Sequence, residues 1–194
     1  GPEAVVHMMG GIDQESFVDL ALVAARCGTG RAVFTEGQWR PHGDPMEAAL
    51  SALARRAGGD PDRDRTDRPE RARFPFDARR RRMSVVITDR ILVKGAPDSV
   101  LPLCGPVAGA TDAIREMTDG GLRVLAIADG TACTLPTDAE SAERGLRLLG
   151  LVGLEDPPRH GVAGAIAQCR RAGIAVAMVT GDHPGTALAV AREV

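Results

Sequence analysis

Three β-type runs lie close together in the middle of this chain, and they constrain its fold more than any other feature. They are Ala72–Phe76, Met83–Thr88 and Ile91–Lys94. The Asp89-Arg90 step between the last two predicts a tight hairpin. Since helical segments alternate with such strands over the first 130 or so residues, we expect an α+β fold in which helices flank an antiparallel sheet.

Helical periodicity and capping signals place the flanking helices. Gln14–Cys27 has apolar residues at helical spacing. A second helix begins at Asp44, with Pro45 at its first position and Glu47 at its third, and continues through Arg56. The further expected elements are the strands Ala32–Thr35 and Leu122–Ala128 and the helices Ala96–Leu103 and Thr111–Thr118.

Composition excludes several classes of protein. Hydrophobic residues make up 44% of the 194 residues, which is enough for a real core, but aromatic residues make up only 3%. Small aliphatic side chains must therefore fill the interior, and any exposed aromatic ring needs an explanation. A net charge of −2 argues against a general nucleic-acid or membrane-surface binder. Residues 58–71 are rich in Asp, Arg, Pro and Gly without apolar periodicity, which predicts an exposed, mobile loop.

The character of the chain changes after Arg144. Leu146–Leu154 and Ile174–Val179 have the apolar composition of strands that are buried on both faces. Helical segments follow each of them, at Gly161–Ala172 and Pro184–Val194. Two strand-helix units in succession predict a partial parallel α/β segment. We therefore expect two domains, residues 1–145 and residues 146–194.

The second of these strands runs into Thr180-Gly181-Asp182. Ligands of open parallel sheets bind at the carboxyl ends of strands, where a helix N-terminus can hold phosphate and an Asp can hold Mg²⁺. A plain turn with an Asp helix cap explains the same residues. The phosphate loop of the Walker type is excluded, because the only lysine, Lys94, is followed by Gly95.

Seven short strings occur in order over roughly residues 40–194. They are Gly43–Leu50, Phe74–Asp77, Met83–Val85, Val93–Pro97, Gly121–Leu125, Gly153–Arg159 and Met178–His183. Taken together, these strings resemble the nucleotide-binding domain of P-type cation-transporting ATPases. The Lys-Gly-Ala and Asp-Pro-Pro-Arg strings are most similar to the calcium- and proton-type branches of that family.

The resemblance implies roles for four residues at the base of a nucleotide pocket. Phe76 matches the phenylalanine on which adenine stacks, although either Phe74 or Phe76 is also expected in the core. Lys94 matches the lysine on the pocket floor, and Gly95 leaves room beside it. Glu47 matches a glutamate that contacts the nucleotide, while its position in the helix also suits a capping box in which it reaches back to Asp44.

The resemblance also implies roles around the phosphates. Arg123 matches an arginine that approaches the phosphates. Arg81 stands where many relatives have a lysine, so its charge is kept but its contact is open. Thr180, Gly181 and Asp182 match a motif near the transferred phosphate. Asp156 and Pro157 match the hinge between the nucleotide-binding and phosphorylation domains.

The implied function is ATP binding by a cytoplasmic domain of an integral membrane protein. The family's phosphoryl-accepting aspartate string and its Mg²⁺-binding motif are not found in the chain, so we expect neither a catalytic residue nor a metal ligand within it. The expected partners are ATP, with Mg²⁺ in the full pump, and the phosphorylation, actuator and membrane domains of the same parent chain, but no nucleic acid. The domain alone should bind ATP without hydrolysing it.

Two other functions remain open. A stand-alone phosphohydrolase of the haloacid-dehalogenase type would need a nucleophilic Asp after an early hydrophobic strand, and none is found. A non-catalytic regulatory domain of the same fold is the second alternative, because Arg81 departs from the family pattern.

Overall fold

The computed structural model describes residues 3–7, 13–132, 134–155, 161–179 and 184–194. Strands and helices alternate through most of these residues. The strands are β1 (Glu3–His7), β2 (Arg31–Thr35), β3 (Gln38–His42), β4 (Glu70–Asp77), β5 (Arg82–Ile87), β6 (Arg90–Gly95), β7 (Arg123–Thr131) and β8 (Arg147–Glu155). The helices are α1 (Gln14–Arg26), α2 (Pro45–Arg56), α3 (Pro61–Asp67), α4 (Pro97–Val100), α5 (Ala110–Asp119), α6 (Ala139–Ala142), α7 (Val162–Arg171) and α8 (Pro184–Glu193).

Six strands form one sheet in the order β1-β8-β7-β6-β5-β4, and every neighbouring pair is antiparallel. The predicted hairpin is present between β5 and β6, where Ile87 pairs with Arg90 and Thr88-Asp89 form the turn. The prediction of an α+β fold with helices flanking an antiparallel sheet is therefore confirmed.

Each face of the sheet has its own core of small aliphatic side chains. Helices α1 and α2 cover one face, and we call this the α1/α2 face; residues buried there include Leu20, Leu50, Met83, Val85, Leu92 and Ile127. Residues buried on the other face include Val86, Val93, Val100, Met117, Ala126 and Leu151. Because both faces are covered, the central strands are apolar on both sides.

This double coverage explains a wrong prediction for the strand near residue 146. Strand β8 pairs antiparallel with both β7 and β1, so it does not begin a parallel unit. An apolar run reports burial of both faces and not strand direction, which the pairing decides. Residues 174–179, the second strand of the expected unit, are not in a strand, and Val179 is almost fully exposed. Helices α7 and α8 form where the sequence predicted them.

Residues 58–71 are not the exposed loop that their composition predicted. They contain α3, which begins after the Asp60 cap with Pro61 at its first position. Asp64 of this helix is buried and accepts a hydrogen bond of 3.1 Å from the buried Arg26 guanidinium. The sequence lacks apolar periodicity here because an ion pair holds the helix to the body of the domain.

A second, two-stranded sheet of β2 and β3 precedes α2. Strand β2 confirms the predicted run at residues 32–35, but β3 was not expected. Glu36 and Gly37 both have positive φ, the geometry of a two-residue hairpin turn. Opposite each other on the strands, Phe34 and Trp39 stack at 5.2 Å between ring centroids, and both are exposed.

Among the helices of the described residues, none combines the length and the apolar character that a membrane crossing requires.

Candidate functional site

Strand register places two of the predicted residues, Lys94 and Arg123, on the α1/α2 face. Met83 pairs with Lys94, and Lys94 pairs with Ile127, so these three side chains form a row across β5, β6 and β7. Since Met83 and Ile127 belong to the core beneath α1 and α2, Lys94 points to that side. Arg123 lies four residues before Ile127 on β7 and therefore points the same way.

A β-bulge in β4 brings Phe76 to this face. Phe74 pairs with Ser84 and Asp77 pairs with Arg82, so three steps along β4 match two steps along β5. The extra residue places Phe76 opposite Met83, in the same row as Met83, Lys94 and Ile127, whereas Phe74 points into the core on the other face. Phe76 and Lys94 are thus two strands apart, roughly 10 Å.

The two phenylalanines of this strand have different environments. Phe74 packs against the core of the other face, while the Phe76 side chain is 62% exposed. Exposure of so large a ring costs apolar burial, in a chain that has few aromatic residues with which to fill its interior. An exposed Phe76 was one of the two alternatives left open by the sequence, and it is the one observed.

Lys94 is buried and paired, not a solvent-facing lysine at a strand end. The residue is only 7% exposed, and its Nζ donates to Oε1 of Glu47 over 3.2 Å. Glu47 lies in the first turn of α2, whose Asp44 cap accepts from the Glu47 backbone N–H. This pair joins the helix to the end of β6.

The Glu47 carboxylate does not complete a capping box. Its Oε2 instead accepts from the backbone N–H groups of Thr29, at 2.7 Å, and Gly30, at 3.0 Å. A Cβ at residue 30 would lie 2.6 Å from the Asp44 carbonyl oxygen, so only glycine lets the Gly28–Gly30 loop come this close. The loop before β2 thus holds the Glu47 carboxylate by its Oε2, while Lys94 binds its Oε1.

The electrostatics of the pair follow from burial and charge. Burial acts to raise the pKa of the Glu47 carboxyl, but the Lys94 ammonium and the two N–H donors outweigh it and hold that pKa below the ordinary value. Beneath them lies Cys27, whose pKa burial raises to about 12. The thiol is therefore neutral and the carboxylate is ionised at neutral pH.

The turn between β4 and β5 borders the site. Arg81 has a positive φ, and its guanidinium pairs with the Asp98 carboxylate at 2.6 Å. Ala96 donates to the Arg81 carbonyl oxygen at 2.9 Å, and a Cβ at Gly95 would lie 2.7 Å from the same oxygen. Gly95 thus permits close approach of the turn to the end of β6.

Arg123 is a second exposed cation at the site, besides Arg81. Its Nη1 donates to the Sδ of Met46, next to Glu47 on α2, at 3.6 Å, and among the described residues no carboxylate pairs with it. The remaining predicted residues, Thr180, Gly181, Asp182, Asp156 and Pro157, lie outside the described part of the chain. Within that part, no three side chains of His, Cys, Asp or Glu stand together as a metal site would require.

Sequence reasoning missed the residues that support the site. Thr29 and Gly30 act through backbone N–H groups, for which the only signal is the glycine-rich turn before β2. Met83 lies between Phe76 and Lys94 in the row, and its spacing alone did not separate it from ordinary core residues. These contributions come from strand register and loop approach.

A separate cavity of about 680 Å³ lies at the opposite end of the sheet. There Arg90 donates to both Asp19 and Asp129, at 2.7 to 2.9 Å, and Arg147 donates to Asp129 at 3.1 Å. We call this group the distal ion network. The carboxylates of this network accept hydrogen bonds from its guanidinium groups, so these charged groups are already paired with each other.

The α1/α2 face thus offers an exposed aromatic ring, a buried ammonium beside a fixed carboxylate, and an exposed guanidinium in sequence along one end of the sheet. A flat aromatic group of a ligand can stack on the Phe76 ring, and an anionic group of the same ligand can bind the Arg123 guanidinium. The fold defines an α+β domain in which helices cover both faces of an antiparallel sheet.

The chain belongs to the family of the P-type ATPase cytoplasmic domain N, whose family model matches residues 16–161. It is 39% identical over 193 residues to a probable cation-transporting ATPase F of Mycobacterium tuberculosis, covering 90% of this chain and 21% of that protein.

Other relatives are similarly long. A sodium/potassium exporting P-type ATPase of Schizosaccharomyces pombe is 37% identical over 203 residues, covering 93% of this chain and 19% of its own length. A calcium-transporting ATPase of Bacillus subtilis is 32% identical over 194 residues, covering 90% and 22%. The chain spans about a fifth of the length of these relatives.

Proposed function

We propose that this domain binds ATP and presents its γ-phosphate to a phosphorylatable aspartate on another domain of a cation-transporting P-type ATPase. The observation that carries the proposal is the exposed Phe76 ring, which lies in one row with the buried Lys94 on a single face of the sheet. Adenine would stack on Phe76, and Lys94 with Glu47 would form the pocket floor. The names of these relatives, a probable cation-transporting ATPase, a sodium/potassium exporting P-type ATPase and a calcium-transporting ATPase, support the choice of parent protein.

Arg123 and Arg81 would lie along the path of the phosphates. Both are exposed guanidinium groups, and each can donate two hydrogen bonds to phosphate oxygens. Arg81 would have to exchange its Asp98 partner for phosphate, so its share of the binding energy is small. In the whole pump Mg²⁺ would accompany ATP, and Thr180 to Asp182 would lie near the transferred phosphate.

Affinity should be modest, because only one wall of the closed site belongs to this domain. We expect a Kd on the order of 0.1–1 mM, and ~1 mM corresponds to about −4 kcal/mol. ADP should bind about as well as ATP, since stacking of the base supplies most of the energy. The domain alone should release no phosphate from ATP.

Titration of the chain with ATP, followed by NMR of the backbone amides, tests the proposal. Shifts should concentrate near Phe76 and Lys94. A Phe76→Ala variant should bind with a loss of about 1–3 kcal/mol, the usual contribution of one stacked base. Phe34→Ala is the matched control, because Phe34 is 60% exposed but lies on the β2–β3 hairpin.

Three results would contradict the proposal. These are a folded chain that shows no shifts, shifts equally large with sulfate, and normal ATP affinity in the Phe76→Ala variant. The first would favour the regulatory-domain alternative.

A further inference from the structure

A single buried carboxylate organises the β4–β5 turn, which directly follows Phe76 and Asp77 in the chain. Glu143, just after α6, is 1% exposed. Its Oε1 accepts from Nη1 of Arg80 at 2.6 Å and from the Ser84 hydroxyl at 2.8 Å, and its Oε2 accepts from Nε of Arg82 at 2.6 Å. Charge-assisted bonds of this length are strong, and here they are shielded from water.

The two arginines carry this restraint into the backbone of the β4–β5 turn. Nη2 of Arg80 donates to the carbonyl oxygen of Pro75 at 3.1 Å, directly before Phe76. Nη1 of Arg82 donates to the Arg80 carbonyl oxygen at 3.2 Å. Glu143 therefore fastens both strands of the turn, on either side of the bulge.

Glu143 lies on the other side of the sheet from the candidate site. Its partner Ser84 pairs with Val93 and Phe74, which belong to the core opposite the α1/α2 face. A ligand on the Lys94 side is separated from Glu143 by the sheet itself. Any influence of Glu143 on binding must therefore pass through the turn.

We propose that Glu143 is a positioning residue of the nucleotide site: through Arg80 and Arg82 it holds the bulge that places the Phe76 ring on the Lys94 face. This inference rests on the proposed function. The β4–β5 turn carries the effect, because the bonds that Arg80 and Arg82 make to Pro75 and Arg80 lie at and directly after the bulge in β4. Without the bonds from Arg80 and Arg82 to Glu143, the bulge can shift, and the Phe76 ring then leaves the row of Met83 and Lys94.

A Glu143→Gln variant keeps the size of the side chain and removes the charge that holds both guanidinium groups. It should weaken ATP binding by about fivefold, a part of the stacking contribution. Asp129→Asn is the matched control, because Asp129 is also a buried carboxylate between two arginines, but at the opposite end of the sheet. That variant should lose stability and keep the native Kd.

A double-mutant cycle separates positioning from general loosening. Phe76→Leu removes the aromatic face and should itself weaken binding by about fivefold. If Glu143 acts through Phe76, then adding Glu143→Gln to Phe76→Leu should change the Kd by less than about 1.5-fold. Full additivity of the two losses would overturn the inference.

A measurement without nucleotide keeps the inference testable on its own. Asp77 accepts from the backbone N–H groups of Arg79, Arg80 and Arg81. In Glu143→Gln these amides should exchange with solvent about tenfold faster than in the native chain, while in Asp129→Asn they should not change. Equal exchange in all three proteins would overturn the inference.

Arg80→Gln provides a second variant in case Glu143→Gln does not fold. It cuts the link between Glu143 and Pro75 from a half-buried position, and it should reproduce both the affinity loss and the faster exchange. Arg79→Gln removes the same charge one residue away and should reproduce neither. Absence of ATP binding by the native chain would overturn the proposed function, whereas native binding with unchanged affinity in Glu143→Gln and Arg80→Gln overturns this inference alone.

Discussion

The two ends of the six-stranded sheet are built from the same kinds of charged side chain, yet they differ in what they leave available. At one end Phe76 is exposed, and Arg123 has no carboxylate partner among the described residues. At the other end the distal ion network closes on itself, with Asp129 between Arg90 and Arg147. Charge content alone does not distinguish a binding site from a structural network.

The difference lies in which groups are already satisfied. Each carboxylate of the distal ion network accepts hydrogen bonds from arginine, so an incoming ligand would have to break existing bonds. At the candidate site Glu47 and Lys94 are hydrogen-bonded to each other, but the Phe76 ring and the Arg123 guanidinium are exposed to solvent. A ligand that contacted Phe76 and Arg123 would gain there without breaking an ion pair of the protein, and four predictions test this difference between the two ends.

The largest effect should come from Glu47→Ala. Lys94 would keep a buried ammonium with no partner, and Oε2 would no longer satisfy the loop N–H groups. We expect the free energy of unfolding to fall by about 3 kcal/mol, measured by urea denaturation. Glu140→Ala, at an exposed ion pair with Arg144, should change it by less than about 0.5 kcal/mol. Equal losses in the two variants would show that the pair is not buried in solution.

Asp129→Asn should be next, with a loss of about 2 kcal/mol, because the three charge-assisted bonds from Arg90 and Arg147 weaken while Arg90 keeps its Asp19 partner. Its Kd for ATP should equal that of the native chain within error. A parallel loss of affinity would mean that the two ends of the sheet are coupled, contrary to the contrast drawn above.

Lowering the pH should reduce the contribution of Glu47 to the free energy of unfolding. The folded state lowers the pKa of this carboxyl, so the unfolded chain binds its proton first and stability falls as the pH drops below about 4.5, through the folded value. The difference in unfolding free energy between the native chain and Glu47→Ala should therefore shrink from pH 6 to pH 3. A difference that stayed constant over this range would mean that the pKa of Glu47 is not lowered.

Arg147→Ala should have the smallest effect. Its side chain is 73% exposed, and Asp129 would still accept from Arg90. We expect a loss below about 1 kcal/mol by the same denaturation experiment, with no change in Kd. A loss larger than that of Asp129→Asn would show that Arg147 contributes more than its contact with this carboxylate.

Local signals in the sequence were sufficient where neighbouring residues decide the structure. The Asp44 cap with Pro45 and the short step between β5 and β6 predicted helix and hairpin correctly, because capping and tight turns need only adjacent groups. The residues at the candidate site were identified in the same way, from strings of a few residues. The nucleotide roles of Glu47, Phe76 and Lys94 stay predictions.

Long-range pairing defeated the same reasoning. Strand β8 has the composition of a parallel strand because both of its faces are covered. Helix α3 has the composition of a loop because an ion pair to Arg26 holds it, and such a pair leaves no apolar periodicity in the sequence. Glu143 gave no signal at all. In the sequence, a buried acidic residue in a polar segment looks the same as a solvent-exposed one. The difference arises only when the fold brings Arg80 and Arg82 to Glu143.

The amino-acid sequence by itself determined the helix that begins at the Asp44 cap, the hairpin between β5 and β6, and the exceptional residues: one lysine, few aromatic rings, and glycine at residues 30 and 95. Only the tertiary structure decided that Phe76 lies on the same side of the sheet as Lys94, since that depends on one extra residue in a strand whose partner lies across a turn. Side-chain chemistry is local, but the face on which a strand residue points is set by register, and register is a property of two strands together.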